Sequence, residues 1–150
     1  MNTGGTGRCQ EAPAQPEREK PPDRRRSSTT KVTIGLDYTL FIGVGEYPDG
    51  RVCEVFLDAP LGSEEVPDHE PSGTATERAL LNCWAIQTSV ALQHGVPLEK
   101  LLDKVLHSRF EPAGLVQGHE TIATCLSPLD LVARHLLIEY AGRDDLRQKR

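Results

Sequence analysis

Between Met1 and Thr30 the chain holds no Val, Ile, Leu, Phe, Tyr or Trp, and at Lys31 that pattern changes abruptly. Val32 and Ile34 alternate with polar neighbours, and Leu40, Ile42 and Val44 alternate with Phe41, Gly43 and Gly45. Tyr47-Pro48-Asp49-Gly50 supplies a turn, because proline fixes φ and glycine accepts the positive φ that closes it. Beyond it Val52, Glu54 and Phe56 alternate with Cys53, Val55 and Leu57. Period-two alternation around such a turn predicts a hairpin, and the short first strand extends it to a three-stranded antiparallel meander. A meander of this size needs a cover over one face.

The second half of the chain reads as helices. From Thr76 to His94 apolar residues take up nearly the whole circumference, which predicts a central, buried helix. Gly95 ends it and Pro97 opens a second helix, in which Leu98, Leu101, Leu102, Val105 and Leu106 follow helical spacing. A third helix starts with Ser127 as N-cap, Pro128 in the first turn and Asp130 three past the cap, as in a capping box. Its apolar face is Leu129, Val132, Ala133, Leu136, Leu137 and Tyr140. The fold class is therefore α+β: a small three-stranded antiparallel meander packed against three helices. One domain is expected over residues 31–142. A disordered tail (1–30) precedes it and a charged, frayed C-terminus (143–150) follows. The proline- and acid-rich stretch 59–73 reads as a mobile loop.

Composition narrows the class. A chain of 150 residues, 37% hydrophobic and 26% charged, has room for one domain with a modest core. The formal net charge is −5, and residues 1–30 carry six basic against four acidic side chains, so the body is acidic. That argues against strong nucleic-acid binding. No apolar run can span a bilayer and no secretory signal opens the sequence, so a cytoplasmic protein is expected. Cys9, Cys53, Cys83 and Cys125 are too far apart for a zinc knuckle or redox pair. Cys53 and Cys83 read as small buried hydrophobes.

Little in the chain reads as catalytic, and no catalytic residue or metal ligand is assigned. His94 suits a helix C-terminus. His69 and His119 fall in loops, while His107 and His135 have no partner at metal-site spacing. The best candidate is Ser108-Arg109-Phe110-Glu111-Pro112-Ala113-Gly114, directly after the second helix. Arg109, Phe110 and Glu111 there join a guanidinium, an aromatic ring and a carboxylate in a turn-forming segment. Such a loop can grip a phosphate, a carboxylate or a partner backbone. The alternative is a helix exit in which Phe110 plugs the core and Arg109 pairs with Glu111 or another acid.

Several segments taken in order resemble one family. They are Arg24-Arg25-Arg26-Ser27-Ser28-Thr29-Thr30-Lys31 with Val32-Thr33-Ile34-Gly35, and Val44-Gly45-Glu46-Tyr47-Pro48-Asp49-Gly50-Arg51 with Glu54-Val55-Phe56-Leu57. Ser89-Val90-Ala91-Leu92-Gln93-His94-Gly95-Val96-Pro97-Leu98-Glu99 and the 108–114 loop complete the set. Together, from about Arg18 to Tyr140, they resemble the TSCPD domain near the C-terminus of adenosylcobalamin-dependent (class II) ribonucleotide reductases. Two features depart from that pattern: Leu61 to Gly73 looks like an insertion, and the Thr-Ser-Cys-Pro-Asp signature does not occur.

The resemblance implies an accessory domain in deoxyribonucleotide synthesis that binds the catalytic chain or a nucleotide and does not catalyse by itself. The family's large barrel, thiyl-forming cysteine, reducing cysteine pair and cobalamin site exceed what about 120 ordered residues can hold. Adenosylcobalamin then belongs to the full-length enzymes, with no cofactor bound by this chain alone. The other reading is an independent small protein- or ligand-binding module unrelated to the reductase. The exposed sheet faces and small core are compatible with a homo-oligomer.

Overall fold

The structure is a computed structural model and describes residues 16–60 and 75–149. The whole of the 61–73 stretch and half of the N-terminal tail therefore lie outside the described residues. Five antiparallel strands form one sheet in the order β3-β2-β1-β4-β5: β1 Ser27–Ile34, β2 Tyr38–Glu46, β3 Val52–Asp58, β4 Gly114–Gln117 and β5 Thr124–Cys125. The helices are α1 Ala75–Gln93, α2 Leu98–Leu102 and α3 Pro128–Ala141, with a 3-10 turn at Asp144–Leu146.

The α+β class holds, and the expected meander forms its β1–β2–β3 part. It is extended by two short strands that sequence periodicity is too brief to show. In β2 and the end of β3 the alternation works as expected, with Leu40, Ile42, Val44, Val55 and Leu57 buried and Phe56 56% exposed, whereas Val52 to Val55 are buried in succession. Gly45 has a steric reason to be glycine. Glu54 of the neighbouring strand lies across it, and a Cβ there would sit 2.6 Å from the Glu54 Cγ.

Three expectations change. First, α1 is not the central helix. It buries one stripe, Leu81, Ala85, Thr88 and Leu92, and leaves Leu80 and Ile86 more than half exposed. Cys83 is exposed too, whereas Cys53 is buried. The helix lies beside β3, where Ser89 Oγ accepts the Val55 N–H at 2.9 Å and Gln93 Nε2 donates to the Cys53 carbonyl at 3.0 Å. It thus closes the free edge of the sheet. The central position belongs to α3, in which Leu131, Val132, Ala133, His135, Leu136, Leu137 and Ile138 are all buried. Second, α2 is a single turn followed by looser turns, shorter than its apolar spacing suggests.

Third, both expected tails are placed where they are described. Strand β1 starts at Ser27 instead of after Thr30. Residues 16–26 run as a strap over the ends of α1 and β3. The Glu19 N–H donates to the Gln93 carbonyl at 2.8 Å, Tyr47 Oη donates to the Glu19 carbonyl at 2.6 Å, and Arg25 pairs with Glu54. At the other end Leu146 is buried. Gln148 Oε1 accepts the Ala123 and Thr124 N–H groups at 2.7 and 2.8 Å. Polar bonds hold both segments, and hydropathy does not register those.

Candidate functional site

The loop singled out from sequence stands on a buried carboxylate. Ser127 caps α3 as expected, its Oγ accepting the Asp130 N–H at 2.9 Å. Asp130 does not complete the capping box by turning back to the N–H of Ser127. It is 0% exposed, and it accepts the His107 N–H at 2.7 Å and the Leu126 N–H at 3.0 Å. Arg134, one helical turn on, donates to it through Nε at 3.1 Å and reaches His107 Nδ1 at 3.1 Å with its other end. Since a guanidinium only donates, His107 Nδ1 is an acceptor. His107 itself takes a φ of 66°, an uncommon backbone for a non-glycine residue. The Ser108 and Ser127 hydroxyls lie 2.9 Å apart.

This network fixes the start of the 108–114 loop, and the Phe110 N–H adds a bond to the Leu126 carbonyl at 3.2 Å. The Glu111–Pro112 peptide is cis. Phe110 is 38% exposed, so it does not plug the core, and Arg109 and Glu111 point into solvent. Among the described residues no ion pair joins Arg109 to Glu111. The three side chains stand together on one exposed, anchored loop, a form suited to contact with a partner. Behind it Cys125 is buried, and desolvation followed by the nearby Asp130 pushes its thiol up to about 11, so it stays protonated.

Among the clefts elsewhere are two that touch β1. The larger, about 710 Å³, is a shallow trough on the outer face of the sheet between Arg24, Phe41 and Phe56. Two of its charged groups, Arg25 and Glu54, pair with each other. Arg25 binds Glu54 through Nε and, at 2.8 Å, through its second nitrogen. The smaller, about 430 Å³, lies between β1, the loop after β4 and α3. Its wall includes a pair of buried histidines that sequence reading left apart. His119 Nε2 and His135 Nδ1 are 2.9 Å apart, and the rings meet edge to face. The Thr121 and Ile122 N–H groups both donate to His119 Nδ1 at 3.2 Å. Burial, and then His119, lower His135 from 6.5 to about 4, so it is neutral at pH 7. Nothing in sequence spacing links the two histidines, because the turn after β4 makes the pair. Among the described residues no group of three or more side chains could hold a metal ion.

A small α+β domain with its core around α3 and a buried carboxylate beneath an exposed loop is the class these features define. The chain belongs to the TSCPD domain family, whose model matches residues 12–140. It is 42% identical over 130 residues to a vitamin B12-dependent ribonucleotide reductase of Agrobacterium fabrum and, at the same identity and length, to one of Bradyrhizobium diazoefficiens. A third relative of that name, from Rhodopirellula baltica, is 35% identical over 132 residues. Each match takes in 87% of this chain, but only 9% of the first two relatives and 11% of the third. The chain therefore spans about a tenth of the length of these curated relatives. No solved structure matches at a significant level.

Proposed function

We propose that this chain is an accessory domain of ribonucleotide reduction that acts in deoxyribonucleotide supply by docking onto a catalytic reductase chain, with no catalysis of its own. Arg109, Phe110 and Glu111 form the contact. In this reading the chain works in the cytoplasm and needs no cofactor of its own, cobalamin being the catalytic chain's. The observation that carries the docking surface is the Asp130 network. It spends a fully buried carboxylate on fixing a loop whose aromatic and charged side chains face outward. Preorganised loops lose less entropy on binding, and aromatic and arginine side chains are the usual anchors of interfaces. The family relationship supports a reductase chain as the partner, since the relatives that match carry this domain within a reductase.

Titration calorimetry of the purified chain into the catalytic reductase chain of the same cell, with and without nucleotides, tests it. Saturable binding at micromolar affinity or tighter is expected. Phe110→Ala and Arg109→Ala should each weaken it by about tenfold or more, the effect of losing an interface anchor. Absence of heat with both proteins folded overturns the proposal and favours a module with an unrelated partner. Binding of nucleotide to the isolated chain, unaffected by Phe110→Ala, overturns the loop as the contact.

A further inference from the structure

The smaller cleft has no part in the docking surface, and three of its features point to a ligand. The first is the direction of the histidine pair. His119 Nδ1 accepts two backbone N–H groups, so its proton is on Nε2 and is donated to His135 Nδ1. That leaves the proton of His135 on its outer nitrogen, for which no partner exists among the described residues. His135 lines the cleft, so this N–H is a donor available there. The second feature is the Thr121 hydroxyl, which is buried without a hydrogen-bond partner among the described residues and also lines the cleft. A buried hydroxyl left unpaired is a cost that a folded protein rarely retains without a use. The third is the neck of the loop at Gly118. Its φ is 87°, and a Cβ there would lie 2.7 Å from the Lys31 carbonyl oxygen. Only glycine lets the 118–121 loop fold close against β1 and form this wall.

The remaining lining sets the ligand's chemistry. Ser28 and Thr30 add hydroxyls from β1, Glu120 and Glu139 add carboxylates, and Arg147 is already paired with Asp144 at 2.7 Å. Two carboxylates against one neutralised cation make the cleft unfavourable for phosphate, and the histidine pair is neutral. A cation would find the carboxylates, but it would leave the imidazole and threonine donors unmatched. A neutral group that donates and accepts from adjacent atoms satisfies both sets. A vicinal diol does this, its hydroxyls donating to the carboxylates and accepting from His135 and Thr121. We propose that this cleft binds a small uncharged molecule bearing a vicinal diol, either a free sugar or the ribose of a nucleoside. A volume of about 430 Å³ suits a ligand of that size.

The test is an NMR titration of the whole chain that follows the imidazole Cε1–H signals of His119 and His135. The probes are ribose, adenosine, 2′-deoxyadenosine and adenosine 5′-monophosphate. Saturable shifts with adenosine or ribose are expected, about tenfold weaker with 2′-deoxyadenosine and no tighter with the monophosphate. Ribose matching adenosine identifies a sugar site, and adenosine alone a nucleoside site. Thr121→Val should weaken binding at least fivefold while raising the thermal midpoint by about 4 °C, because it removes an unpaired hydroxyl. A hydroxyl with a merely structural role would lower the midpoint instead. Glu139→Gln, on an exposed position, is the second variant and should weaken binding without a change in midpoint. No shift at either histidine with any probe overturns the proposal, as does tighter binding of the monophosphate or full affinity in both variants.

Discussion

Two buried polar residues in α3 carry consequences that can be measured one side chain at a time. Asp130 is fully buried and satisfies two backbone donors and Arg134 together. Asp130→Ala leaves all three without their acceptor, and losing one partner of a buried pair costs about 3–5 kcal/mol. Urea denaturation of the two proteins measures this. A loss below about 1 kcal/mol would mean the loop does not depend on the carboxylate. His135 acts through protonation. Its imidazole resists charging until about pH 4 in the folded protein but takes a proton near 6.5 when unfolded. Between those values the unfolded chain binds more protons, so acid favours unfolding. The stability this provides is present in full above pH 6.5 and is lost as pH falls toward 4, by roughly 3 kcal/mol. Stability curves from pH 7.5 to 4 should therefore fall more steeply in the natural chain than in His135→Gln. Parallel curves would show that the imidazole charges as easily in the fold as in water.

At the scale of elements, α1 shows both how far hydropathy goes and where it stops. Its length and position were legible from apolar spacing and from Gly95, and the caps of α3 from Ser127, Pro128 and Asp130. Which helix lies at the centre was not legible. In α1 the apolar residues outnumber the places available beside an edge strand, so Leu80 and Ile86 remain exposed. In α3, Asp130 and His135 are polar, yet both are buried because their polar atoms are bonded inside the protein. A polar residue reads as exposed only when no partner waits for it, and here His107 lies 23 residues from Asp130 and His119 lies 16 from His135. The α1–β3 seam follows the same logic. Gln93 spans it, donating to the Cys53 carbonyl and accepting from Arg18 Nε at 2.6 Å. Gln93→Ala should cost about 1–3 kcal/mol by leaving a buried carbonyl unpaired. Gln87→Ala, exposed on the same helix, should stay within about 0.5 kcal/mol. Equal effects in thermal melts would mean the helix is held by its apolar stripe alone.

The molecule as a whole is a sheet, a buried helix and a strap of different composition, and the strap sets a hierarchy of stability. Its residues 16–26 contain no large apolar side chain, which is why a sequence pattern places them in a tail. Ordering a backbone residue costs about 1–2 kcal/mol, while a typical hydrogen bond returns about 0.5–1.5 kcal/mol. The exposed pair of Arg51 and Glu19 at 3.1 Å adds little. Pro16, Pro21 and Pro22 reduce the cost by restricting the unfolded chain, and Arg25 on the largely buried Glu54 makes the strongest contact. The strap therefore holds with a narrow margin, whereas α3 is locked to the global transition by a face of fully buried side chains. Native-state hydrogen exchange should resolve the difference. The Glu19 amide, bonded to the Gln93 carbonyl, is expected to exchange by local opening with at least about a hundredfold less protection than the amides of Leu136 and Leu137. Arg25→Ala should lower the Glu19 protection further and leave the α3 amides nearly unchanged. Equal protection at Glu19 and Leu136 would show instead that strap and core unfold as one unit, and that the N-terminal segment is as integral to the domain as its central helix.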